Sequence, residues 1–240
     1  VITSVAVAAA MLINALPFTT LAADKNTAET LSYPEGFVYA NGTKFMCDGS
    51  PYYYGGTNCY YLTFKSKNSV DNVFEDAENM GLKVIRVWGN LDVGVKTDKI
   101  NPENGAPVFT NNNDGPGEKD GIYFQYFDKQ KNRPVVNEGA DGIQKLDYAI
   151  AQAEKHDMKL LITFTNYWDA FGGMGQYVDW AEEIGITGLK KDDFYTNKQL
   201  KTWYKDYIKT LLNHENVYTG RKLKDEPGVF AWELSNEPRC

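Results

Sequence analysis

The sequence predicts an α/β fold, a (β/α)8 TIM barrel of which residues 36–240 supply the first four strands. Three observations predict it. Short β-branched runs that read as buried parallel strands alternate with longer stretches of helical periodicity. The polar and aromatic side chains suited to chemistry cluster where those runs end and the next loops begin, as they do in parallel barrels. No glycine-rich phosphate loop stands between a strand and a helix, which removes the case for a nucleotide-binding sheet.

The elements follow in order. Aromatic, alternating residues around Gly42 and the pair Asp48-Gly49 predict a small β cap, because Asp-Gly suits a two-residue hairpin turn. Residues 52–58 (YYYGGTN) read as the first barrel strand. Ser69 is placed as the N-cap of a helix whose apolar positions Val70, Val73, Phe74, Ala77 and Met80 follow helical spacing and which closes on Gly81. Residues 83–87 (KVIRV), followed by Trp88-Gly89, form strand two. Residues 89–140 are rich in Asn, Asp, Gly and Pro and read as an elaborated loop. Helical rhythm returns over 142–156 through Ile143, Leu146, Ile150 and Ala153, and strand three is 159–165 (KLLITFT). A second long aromatic loop spans 166–195, before a helix marked by Leu200, Trp203, Tyr204, Tyr207, Ile208, Leu211 and Leu212. Strand four is 229–234 (VFAWEL). Half a barrel has open sheet edges and an uncovered interior, so these residues alone are expected to be inactive and prone to aggregate.

With 42% apolar and 24% charged residues, the chain belongs among globular proteins rather than disordered ones. Its net charge of −7 argues against nucleic acid as partner, since phosphate binding needs clustered Lys and Arg. Its 16 tyrosines, each an apolar face with a hydroxyl handle, suit sugar rings. Residues 1–23 carry no charge, are broken by Pro17 and close on Ala22 and Ala23, the pattern of a secretory leader and its cleavage site. The run before Pro17 is shorter than the ~20 residues a membrane-spanning helix needs. The expected product is therefore secreted, monomeric and free of the membrane, with a polar stretch over 24–35 ahead of the barrel. Neither a basic segment nor an initiator Met precedes the leader, so the sequence is expected to be a piece of a longer chain. Cys47, Cys59 and Cys240 leave one thiol unpaired, and with His156 and His214 they show no metal-ligand spacing. No metal or cofactor is expected, and the histidines are placed on the surface or in loops.

The strand ends share a chemistry. Strand two delivers Arg86 and Trp88, strand three Asn166 and Trp168, and strand four Asn236 and Glu237. A carboxylate beside an amide, an arginine and tryptophans suits cleavage of a glycosidic bond, which needs an acid for the leaving oxygen and a carboxylate for an oxocarbenium-like carbon. Glu237 fits the acid, Asn236 a contact to a sugar 2-hydroxyl, and Trp88 and Trp168 platforms for pyranose faces. Bland roles stand beside these: Arg86 pairing with Asp92 or another carboxylate, and either tryptophan serving as core. Glu233 is read as structural, because alternation puts it on the side of Glu237 only if the strand stays regular.

Four stretches, GGTNCYYL (55–62), VIRVWGNLDV (84–93), TFTNYWDAFGGMGQYVDW (163–180) and VFAWELSNEPRC (229–240), resemble endo-β-1,4-mannanases of glycoside hydrolase family 5, in the family's order. The resemblance implies a secreted retaining enzyme acting on β-mannan or glucomannan. It makes Glu237 the acid/base, Asn236 the neighbour on the 2-hydroxyl, and Arg86 an electrostatic support near the nucleophile. Trp168, with Trp88 and Asn166, would line sugar subsites. The family's nucleophile, a second glutamate at the end of strand seven, has no counterpart here. Asn90 stands where relatives usually carry Phe, and Leu62 where some have a second cysteine. Cys59 either pairs with Cys47 or stays a buried thiol, while Cys240 resembles a family cysteine whose partner lies just downstream. An endo-β-1,4-glucanase of the same family and a non-catalytic carbohydrate-binding barrel are the competing readings.

Overall fold

The computed structural model describes residues 33–113 and 121–239; the expected leader, most of the polar stretch and Cys240 fall outside them. Strands β1 (Val38–Asn41), β2 (Lys44–Cys47) and β3 (Ser50–Pro51) make an antiparallel sheet. Asp48 and Gly49 have φ of 48° and 78°, the paired left-handed conformation that a two-residue hairpin turn demands. Phe45 of this cap packs edge-on to Phe230, with ring centroids 5.0 Å apart, and Tyr52 and Tyr54 complete the cluster. The Lys159 ammonium donates to the carbonyls of Gly36 (2.6 Å) and Pro227 (2.8 Å), tying the cap to the N-terminal ends of the barrel strands.

The barrel strands are β4 (Gly56–Asn58), β5 (Val84–Trp88), β10 (Lys159–Thr163) and β11 (Val229–Glu233). They pair in parallel in chain order, β4–β5–β10–β11. Ile85 and Val87 lie beside Leu160 and Ile162 in register, and all four are fully buried. They share a core with Phe74, Leu146, Ile150 and Leu211 from the surrounding helices. Each such side chain contributes roughly 1.5–3 kcal/mol over exposure to water. Alternation turns Arg86, Thr163 and Glu233 to the opposite face of the same sheet.

Helix α1 (Lys67–Asn79) starts three residues earlier than the sequence suggests: Ser66 is its cap, accepting from the Ser69 amide at 3.2 Å, so Ser69 lies in the first turn. At its end Gly81 takes φ 71° while the Gly81 and Leu82 amides donate to the carbonyls of Glu78 and Ala77, a Schellman closure. Helix α2 (Gln144–Lys155) buries Leu146, Ile150 and Ala153 as expected. The two histidines lie at loop positions just past helix ends, as expected, but with largely buried side chains. His156 and His214 occupy the C-cap positions of α2 and of helix α4 (Lys198–Asn213), their side chains 10% and 8% exposed, with His156 Nδ1 2.6 Å from Glu78 and His214 Nε2 2.8 Å from Asp147.

Two segments read as loops are structured. Residues within 89–140 form a four-stranded sheet in the order β7–β6–β8–β9, built from β6 (Asp92–Ile100), β7 (Pro107–Thr110), β8 (Gln125–Asp128) and β9 (Arg133–Val136). Residues within 166–195 contain helix α3 (Gly173–Glu182), whose Trp180 indole donates to the Val93 carbonyl at 3.0 Å. Sheet and helix share a second core of Val95, Phe127, Met174, Tyr177, Trp180, Phe194 and Trp203. This layer braces the loop that follows β10.

Candidate active site

Four neighbouring strands each send one polar side chain to the C-terminal ends of the sheet. Asn58 lies beside Arg86 in the register of β4 and β5, and Thr163 beside Glu233 in that of β10 and β11. Arg86 reaches across the strand between: Nε donates to Glu233 Oε2 at 2.9 Å, and Nη2 lies 2.7 Å from the same oxygen. Nη1 donates to Asn58 Oδ1 at 3.2 Å and Nη2 to Asn236 Oδ1 at 2.9 Å. The Thr163 hydroxyl also donates to Glu233 Oε2. The planar guanidinium fork suits several acceptors in fixed directions.

Asn236 is 8% exposed and closes the network toward strand three. Its Nδ2 donates to Asn166 Oδ1 at 2.8 Å, and the two residues form an isolated parallel bridge. Asn166 is fully buried; its Nδ2 donates to the Ala170 carbonyl at 3.0 Å, while its Oδ1 also accepts from the Trp168 amide at 3.2 Å. The Trp168 indole donates to Glu237 Oε2 at 2.8 Å, and the Arg239 guanidinium lies 4.8 Å from the Trp168 ring centroid. Glu237 itself has φ 43°, a left-handed conformation that costs a non-glycine residue roughly 1–2 kcal/mol. Its carboxylate side chain is more than half exposed.

Of the six residues singled out in the sequence, five join this one network: Arg86, Asn166, Trp168, Asn236 and Glu237. Trp88 stands beside it, half-buried, packed edge-on to Phe171 at 5.0 Å and tilted against Tyr60 at 5.2 Å. Trp168 at 44% exposed is the broader platform. Arg86 pairs with Glu233, so the Asp92 alternative is set aside. Asp92 is buried and accepts from Gln125 at 2.7 Å; burial pushes its carboxyl up to about 8. Asn90, the departure next to Trp88-Gly89, is also buried and donates to the Phe171 carbonyl at 3.3 Å, fastening the strand-three loop. Cys47 and Cys59 are both free thiols, so the Cys59 pairing with Cys47 does not occur; burial pushes the Cys59 thiol up.

Asn58, Thr163 and Glu233 were not singled out as site residues. Glu233 was legible only through parity, and parity misleads here. Glu233 and Asn236 are three residues apart and would face opposite sides of a regular strand, yet both meet Arg86, because β11 ends at Glu233.

Parallel strands in chain order, with carboxylates, amides and an arginine gathered at their C-terminal ends, define the chain as part of a (β/α)8 barrel. It belongs to the glycoside hydrolase family 5 β-mannosidase-like family, whose profile matches residues 35–240. It is 40% identical over 205 residues to a probable mannan endo-1,4-β-mannosidase F of Aspergillus flavus, covering 85% of this chain and 37% of that protein. A probable mannan endo-1,4-β-mannosidase A of the same fungus is 35% identical over all 240 residues, which cover 53% of its length. Among solved structures, the endo-1,4-β-mannanase of Rhizomucor miehei superposes with a TM-score of 0.69 at 37% identity, covering 85% of this chain and 49% of that one. The chain thus spans about half, or less, of the length of these relatives.

Proposed function

We propose that this chain is part of a secreted, retaining endo-β-1,4-mannanase acting on mannan or glucomannan, with Glu237 as its acid/base. The observation that carries the reading is the Glu237 carboxylate just beyond the end of β11, held by Trp168 beside an Asn236 amide fixed by Arg86 and Asn166. In this reading Glu237 gives its proton to the departing glycosidic oxygen while a carboxylate nucleophile bonds the anomeric carbon from the opposite face. Glu237 then takes a proton from water, whose oxygen displaces the nucleophile, and the configuration is retained. Asn236 donates to the sugar 2-hydroxyl, a contact that strengthens as positive charge grows on the ring. Trp168 offers its ring to a pyranose face.

The nucleophile in this account is a glutamate at the end of a seventh strand, outside these residues. Glu233 is not given that task, because it stands on strand four, the strand that leads to Glu237, and not on a seventh strand across the barrel. The names of the relatives support mannan over cellulose. Export follows from the substrate: a polysaccharide is too large to enter a cell, and residues 1–23 carry the leader pattern. No helix among the described residues is long and apolar enough to cross a membrane. The test is the full-length protein on mannan and on cellulose. Mannooligosaccharides released from mannan, and lost in Glu237→Gln with polysaccharide binding intact, are the expected result; cleavage of cellulose alone would overturn the substrate.

A further inference from the structure

We propose that Glu233 is a positioning residue for substrate recognition, acting through Arg86 on the Asn236 amide. The inference rests on the reading of Asn236 as the 2-hydroxyl contact. Three donors meet one oxygen of Glu233: Arg86 Nε, Arg86 Nη2 and the Thr163 hydroxyl. An arginine side chain is long and rotamer-rich, and here it spans from β5 over β10 to β11. Glu233 fixes both the plane and the reach of the guanidinium, so Nη2 is delivered to Asn236 Oδ1 at 2.9 Å.

That delivery, together with the Asn166 Oδ1 acceptor on the other side, holds the Asn236 amide in one orientation. A guanidinium has only donors, so it must meet the amide oxygen, and the amide nitrogen is turned to Asn166 Oδ1. One N–H of Asn236 is used there. The other has no partner among the described residues and remains for a sugar hydroxyl. With the carboxylate of Glu233 gone, Arg86 keeps its charge and Asn58 but loses its charged anchor, and the amide, left with Asn166 alone, is held less firmly against the sugar.

The test pairs Glu233→Gln in the full-length protein with two substrates: an activated aryl β-mannobioside, and its analogue lacking the 2-hydroxyl on the sugar joined to the aryl group. On the first, kcat/KM is expected to fall about thirtyfold, the size of losing an anchored charge contact. On the second, where that contact is already missing, it should fall less than about threefold. Equal losses on both, or no loss on either, would overturn the proposal. Thr163→Val, which removes one donor to Glu233 and keeps the packing shape, should show a smaller loss with the same dependence on the 2-hydroxyl. It carries the test if Glu233→Gln does not fold, and a loss independent of that hydroxyl would again refute the idea.

The 2-deoxy analogues of mannose and glucose are one and the same sugar, so the comparison can be run with the aryl gluco-disaccharide if the protein prefers glucans. Should the protein bind sugars without hydrolysing them, the same ratio is read from Kd for the disaccharide and its 2-deoxy analogue. A ratio that persists would remove the hydrolytic reading and keep this one; binding of neither sugar would remove both.

Discussion

The indole N–H of Trp168 and the carboxylate of Glu237, 69 residues apart in sequence, meet at 2.8 Å across the ends of neighbouring strands. The contact gives Trp168 two separable tasks, a ring for sugar stacking and a donor that fixes Glu237. Trp168→Phe keeps the ring and removes the donor. In the full-length protein we expect kcat on mannan to fall roughly fivefold to tenfold with KM little changed, about the worth of one partly exposed charge-assisted hydrogen bond. Trp168→Ala should raise KM as well. Equal kinetics for wild type and Trp168→Phe would leave only the stacking role.

Arg86→Lys keeps the charge and loses the fork. One ammonium cannot serve Glu233, Asn236 and Asn58 together. Steady-state kinetics should show kcat/KM down by about a hundredfold, or ~3 kcal/mol. A loss under threefold would mean that charge alone suffices.

Gly173 starts α3 with φ 54°, and an added Cβ would lie 2.3 Å from the Asn166 carbonyl oxygen and 2.6 Å from that of Trp168. Gly173→Ala therefore pushes directly on the loop that seats both site residues. Thermal unfolding should show destabilisation of about 2 kcal/mol or more, together with lost activity. A variant that melts like wild type would contradict this view of the loop.

Asp92 supplies a pH dependence. Burial pushes its carboxyl up to about 8 from 3.8, against the hydrogen bond from Gln125. In the unfolded chain it releases its proton at its ordinary value, so between about 4 and 8 the folded state holds a proton that the unfolded state has lost. Its contribution to stability is complete below that window and fades as pH rises through it. A retained proton also supplies a donor where Asp92 Oδ2 and Asn90 Oδ1 otherwise lack partners. Asp92→Asn, a neutral near-isostere, should flatten the dependence of Tm on pH, with its largest gain near pH 8 and little change near pH 4. A parallel pH profile for the two proteins would show Asp92 ionised in the fold.

The barrel was readable because its strands are local signals: VIRVW and KLLIT are β-branched or apolar throughout and flanked by turns. The sheet of residues 92–136 was not. Its central pair, β6 and β8, is parallel and joined across a long connection, and pairing at that range leaves little trace in local composition. Helix α3 was hidden by Gly172, Gly173 and Gly175, whose low helix propensity is overridden by burial of nearly every residue through Ala181. Tyr177, Trp180, Ala181 and Ile184 do follow helical spacing, the signal a closer count would find. At the site, residues with a sugar-binding rationale were legible, while Glu233 was obscured by a strand that ends just before the parity argument needs it to continue.

The central claim, that Glu237 is the acid/base of a retaining glycosidase, is tested most directly with Glu237→Ala in the full-length protein, an aryl β-mannobioside with a good leaving group, and added azide. That leaving group needs little protonation, so the glycosyl enzyme still forms, and azide can attack it without a general base. The account predicts that azide accelerates turnover and yields the β-glycosyl azide. No acceleration, or an α-glycosyl azide, would contradict it.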